Sequence, residues 1–100
     1  MSILAVDFDG VLMDPTNRKP GKRMGEPVEG AVAAMQRLHQ QGHTLIIHTV
    51  RGNRPDHVAE WLRFFGIPYD SIADKPEAAY YVDDRGLRFT SWSQTLQEIS

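Results

Sequence analysis

Ile3-Leu4-Ala5-Val6-Asp7-Phe8-Asp9-Gly10 is the stretch that decides the fold. A continuous apolar run this short suits a strand covered on both faces, as in a parallel sheet. It ends abruptly in carboxylates, and Gly10 lets the backbone turn sharply as the chain leaves the strand. Residues 11–26 follow as a polar loop containing Gly and Pro, with no sustained period. Pro27 is expected in the first turn of a helix, where its missing N–H costs nothing. Val28, Ala31, Val32, Met35 and Leu38 recur at helical spacing, Gly30 is tolerated inside at some cost, and Gly42 follows as a stop. Leu45-Ile46-Ile47 predicts a second buried strand ending at His48-Thr49. Pro55 then opens a helix with Val58, Trp61, Leu62 and Phe65 on one face, closed by Gly66 and Pro68. A weaker strand is expected near Ile67 or Ser71-Ile72. Residues 79–82 make the last core strand, running straight into Asp83-Asp84. Arg88-Phe89 suits a short edge strand, and Trp92, Leu96 and Ile99 have helical spacing. Alternating strands and helices of this kind imply an α/β fold with a mainly parallel, Rossmann-like sheet.

Composition narrows the function. A chain of 100 residues suits one domain, residues 1–100. Eleven Lys+Arg against thirteen Asp+Glu give a formal net charge of −2, which argues against a dedicated nucleic-acid coat. With no cysteine, disulfides, thiolate zinc sites and cysteine nucleophiles are all excluded. That also fits a reducing compartment, and a cytoplasmic location is expected. The longest apolar run near the start is broken at Asp7, so neither a signal peptide nor a membrane span is expected.

The polar residues fall in one kind of place. Asp7, Asp9, Thr49, Asp83 and Asp84 all lie at the carboxyl end of an expected strand, which is where open α/β sheets bind ligands. On a strand, residues i and i+2 share a side, so Asp7 and Asp9 would face one pocket. Two such carboxylates repel unless a cation or proton intervenes, and a hard divalent ion such as Mg²⁺ with oxygen ligands would relieve them. The alternative is a turn-capping acidic pair. The Thr49 hydroxyl is placed to donate to a phosphate oxygen, and Lys75 to set an ammonium against phosphate charge. Adjacent acids at Asp83-Asp84 need a cation or a partner, and Arg85 is the rival to a metal ion there. Trp61, Leu62, Phe65 and Trp92 read as core, and no two histidines have metal-ligand spacing with a third.

Val6-Asp7-Phe8-Asp9-Gly10-Val11-Leu12, then Thr49, Lys75 and Asp83-Asp84, resemble the four ordered motifs of the haloacid dehalogenase (HAD) superfamily. Thr49-Val50-Arg51 and Tyr81-Val82-Asp83-Asp84-Arg85 are similar to small capless phosphatases, to the phosphatase half of polynucleotide kinase-phosphatases and to some nucleotidases. The resemblance implies a three-layer α/β/α core. It also implies an Mg²⁺-dependent phosphohydrolase acting on a phosphate monoester through an aspartyl-phosphate. Asp7 would be the nucleophile. Asp9 would protonate the leaving oxygen and later activate water, with its main-chain carbonyl on the metal. Thr49, Arg51 and Lys75 would hold the phosphate, and Asp83 and Asp84 would complete the metal site with Asp7 and Asp9. The dehalogenases lack the second Asp of the first motif, so Asp9 favours phosphoryl transfer. Arg18, Lys19, Lys22 and Arg23 fall in the loop the family uses as a flap, where they would steer an anion or simply face water.

Neither usual insertion point has residues to spare for a cap domain, so the site is expected to lie open. An open site excludes water poorly and sees little of a small substrate. Either the substrate is large (a nucleic-acid end or a phosphoprotein) or a nucleotide, or a second subunit of a homo-oligomer covers the site. Two non-enzymatic alternatives stand beside this: a phospho-accepting module like a response-regulator receiver, and a silent nucleic-acid-binding domain using the basic loop.

Overall fold

The structure, a computed structural model, describes residues 2–22, 24–48, 54–73, 80–83, 87–88 and 91–99, with 80–83 and 87–88 as backbone. The opening apolar run is strand β1, Ile3–Asp7. Consecutive residues Leu4, Ala5 and Val6 are all buried, so neither face of β1 is open to solvent, as a run without alternation requires. Helix α1 spans Ala31–Gln40, β2 Thr44–His48 and α2 Pro55–Phe64. Strand β3 is Ser71–Ala73, β4 Tyr80–Asp83 and β5 Leu87–Arg88, and helix α3 closes the chain over Trp92–Ile99.

The strands form one five-stranded sheet in the order β3-β2-β1-β4-β5, and every pair within it is parallel. The chain is therefore an α/β protein with a Rossmann-like parallel sheet. From β1 it steps outward through β2 and β3, then crosses to the other side of β1 for β4 and β5. Helices bury the stripes expected of them: Ala31, Ala34, Met35 and Leu38 on α1, and Val58, Trp61 and Leu62 on α2. Trp92 of α3 is 2% exposed, and its indole N–H donates to the Val11 carbonyl at 2.9 Å. That bond ties the end of the chain to the turn after β1.

The start of α1 differs from the sequence expectation. Pro27 stands outside the helix, in an antiparallel bridge to Met13, and Gly30 is the residue before the first turn with φ +83°. At that left-handed angle a side chain would be strained, so Gly30 marks the entry to α1 and costs its interior nothing. Periodicity alone extended the helix one turn too far, because Val28 is partly buried against the same core without being helical.

Residues 14–26 are an excursion that leaves and returns at one place. Asp14 N–H donates to the Glu26 carbonyl at 2.9 Å, and Val28 N–H to the Leu12 carbonyl at 2.8 Å. Inside it, Pro15–Asn17 forms a 3₁₀ turn capped by the Asp14 carboxylate. Asn17 Oδ1 accepts from Glu26 N–H at 2.7 Å. A Cβ on Gly25 would strike the Asp14 carbonyl and the Asn17 side chain, so only glycine fits this crossing. From the other side, Trp61 Nε1 donates to the Gly25 carbonyl at 2.9 Å. What reads as an aperiodic loop is held by side-chain bonds to backbone.

Candidate functional site

Strand order places the candidate site. In open α/β sheets ligands bind outside the carboxyl ends of the strands, where the order reverses. Here β1 has β2 on one side and β4 on the other, so the reversal lies between β1 and β4. Val6 pairs with Val82 across these two strands. The next residue on each is an aspartate, Asp7 and Asp83, and each is the last residue of its strand. Parallel register thus delivers two acids to one crevice from positions 76 residues apart in the chain.

Asp7 is half-buried and lies opposite His48 in the register with β2. Its Oδ1 accepts from Phe8 N–H at 3.0 Å, a bond to a charged acceptor. Phe8 is fully buried, and its own N–H also reaches the His48 carbonyl at 3.1 Å. Asp9 is half-buried as well, but it stands beyond the strand. The Phe8 carbonyl accepts from both Leu12 and Met13 N–H, at 3.0 and 2.9 Å, and Gly10 N–H donates to the Met13 carbonyl at 2.8 Å. Asp9 therefore sits on a tight turn wound around Phe8. Strand alternation accounts for the placement of Asp7, and this turn, not alternation, for that of Asp9.

Asp83 is described as backbone at the end of β4, and Thr49, Arg51, Lys75 and Asp84 lie outside the described residues. Of the basic loop, Arg18, Lys19 and Lys22 are exposed, and Arg23 lies outside the described residues. Among the described residues no group of three or more His, Asp or Glu gathers into a metal site. At the carboxyl ends of these strands stand Asp7 and, by register, Asp83, with Asp9 on the turn after β1.

A second feature escaped the sequence reading. A groove of about 590 Å³ runs between α2 and Lys19, Lys22 and residues 24–26, with Glu60, Trp61, Phe64 and Phe65 along its other side. It abuts the site through its floor: the Trp61 ring meets Phe8 edge-on, with centroids 5.0 Å apart and planes at 83°. An edge-to-face pair of this kind contributes about 0.5–1.5 kcal/mol beyond area burial. Trp61 is core, as its spacing indicates, and it also lines the groove. The signal for the groove was Phe64, which falls outside the stripe of Val58, Trp61, Leu62 and Phe65 that the spacing assigns to the core. Phe64 is 80% exposed.

No family model matches the chain, and no curated protein matches it. Among solved structures, one from Bacteroides thetaiotaomicron is similar. It is a conserved protein of that organism, 27% identical, with a TM-score of 0.78, covering 98% of this chain and 88% of its own. The likeness supports the α/β architecture along nearly the whole chain and brings no activity with it. No helix of the described residues is long and apolar enough to cross a membrane.

Proposed function

We propose that the chain is a HAD-type phosphohydrolase, a three-layer α/β/α core without a cap that acts on a phosphate monoester. The observation that carries it is the pairing of strand ends: Asp7 and Asp83 terminate adjacent parallel strands at the crevice where strand order reverses, with Asp9 on the turn just beyond. A site of this kind needs a nucleophile held in one orientation, and the hydrogen bond from Phe8 N–H to the Asp7 carboxylate supports that role.

In this scheme Asp7 attacks phosphorus and the bond to the ester oxygen breaks, leaving phosphate on the Asp7 carboxylate. The departing oxygen takes a proton from Asp9. Asp9 then removes a proton from water, whose oxygen attacks the same phosphorus and frees Asp7 and inorganic phosphate. Thr49, Arg51 and Lys75 bind and orient the phosphoryl group. Asp7, Asp83, Asp84 and the Asp9 carbonyl are the groups that would hold Mg²⁺. An all-oxygen donor set from two neighbouring strands suits a hard divalent ion. The bound ion would offset the repulsion between a carboxylate nucleophile and the phosphoryl oxygens. The absence of cysteine suits work in the cytoplasm. With no cap, the favoured substrates are large ones, such as nucleic-acid ends or phosphoproteins, or nucleotides.

The strand order also weighs against a receiver-like switch. Receivers follow the order 2-1-3-4-5, with the first strand beside the third. Here β1 lies between β2 and β4. The deciding experiment is phosphate release from a panel of aryl phosphates, nucleotides, sugar phosphates, phosphopeptides and phosphorylated oligonucleotide ends, with Mg²⁺ present. Turnover by the natural chain and none by Asp7→Asn supports an enzyme. Silence across the whole panel overturns the phosphohydrolase and leaves a binding module.

A further inference from the structure

The groove beside α2 has a chemistry of its own. Phe64, at the end of α2, holds its ring out in solvent, edge-on to Phe65 at 4.9 Å, and Phe65 in turn lies 4.8 Å from Trp61. Three rings thus run in series from the core to the surface. A lone exposed aromatic forgoes about 1.5–3 kcal/mol of burial. Aromatic residues with a recess beside them are what anchor protein interfaces.

The charges around the rings select the occupant. Among the described residues that line the groove, Lys19 and Lys22 stand on the loop, with Glu26 beside them and Glu60 on the helix, two cations against two anions. None of the four forms an ion pair among the described residues. A polyanion would meet the carboxylates of Glu26 and Glu60 beside the two ammonium groups, whereas nucleic-acid-binding faces are strongly basic. A two-fold contact, in contrast, needs one patch that complements itself, so that residue i meets j while j meets i. A projecting ring beside a recess, with lysines facing a glutamate across the groove, meets that requirement.

We propose that a second copy of this chain docks here, its Phe64 entering the groove and its Glu60 facing Lys19 and Lys22. Ten of the described residues line the groove, against the roughly 20–30 per side of a standard interface. The dimer is expected at micromolar to submillimolar concentration. The proposal does not depend on the phosphohydrolase, because its readout is mass.

Sedimentation of the full chain from about 5 to 500 μM tests it. The expected result is a reversible rise from monomer to dimer. Phe64→Ser, an exposed change checked for folding by circular dichroism, is expected to weaken it at least tenfold, the scale of an interface anchor. Lys22→Glu is expected to weaken it as well, and Lys22→Glu with Glu60→Lys to restore it. A monomer at every concentration overturns the proposal, and so does a dimer indifferent to Phe64→Ser. Micromolar binding of a single-stranded oligonucleotide, abolished by Lys19→Glu with Lys22→Glu, would assign the groove to a polyanion and overturn it too.

Discussion

Asp7 and Asp83 stand one residue beyond the paired Val6 and Val82, at the ends of neighbouring parallel strands. Nothing local connects them. The β1–β4 register brings them to one crevice, and the apolar residues before each one hold that register by being buried or paired in the sheet.

The two carboxylates of the first motif divide into different losses. Asp7→Asn removes the proposed nucleophile and is expected to cut phosphate release by about 10³-fold or more, about 4 kcal/mol in activation free energy. Asp9→Asn removes the proposed proton donor and is expected to cost about 10²–10⁴-fold. An aryl phosphate with a good leaving group needs less protonation, so it should suffer least from Asp9→Asn. Steady-state rates on two aryl phosphates of different leaving-group pKa check this.

Metal removal gives a reading independent of turnover. A ligand at about a hundred times its Kd stabilises the folded state by about 2.7 kcal/mol. Thermal unfolding should therefore shift upward on adding Mg²⁺ and fall back with a chelator. The increment should shrink in Asp7→Asn and in Asp83→Asn. An unchanged Tm in the natural chain across millimolar Mg²⁺ would remove the metal from this crevice.

Trp61 is the post that holds the excursion after β1. Trp61→Phe keeps a ring against Phe8 but leaves the buried Gly25 carbonyl without its donor. The expected loss is about 1–3 kcal/mol in denaturant unfolding. Faster amide exchange at Asp14 and Glu26 should accompany it, since their bonds close the same excursion.

Acid should loosen the same segment from its other end. Hydrogen bonds to Asp14 from the Thr16 hydroxyl and then the Thr16 N–H hold its carboxyl below the usual carboxylate range. A depressed folded pKa means the cap contributes fully above the unfolded value of about 3.9. Its contribution is lost as pH falls through the lower folded value. An NMR titration should show the Thr16 amide signal moving only below that range, and Thr16→Ala should bring the Asp14 midpoint back up.

Much of this was legible without coordinates. The unbroken apolar run before Asp7 specified a strand covered on both faces, and the three- and four-residue spacing through Val58, Trp61 and Leu62 specified α2, because periodicity is a local property. It misplaced the start of α1, where Val28 joins the core from outside the helix. It was silent on residues 14–26, whose order comes from single bonds by Asp14, Asn17 and Trp61 and not from any repeat.

The sequence by itself determined that Asp7 and Asp83 end strands, because a short apolar run that stops at a carboxylate has one ready interpretation. Only the tertiary structure decided which strands lie side by side. Order and register arise from pairing between distant segments, and they alone put Asp7 next to Asp83 and Phe64 beside a groove half built from the loop.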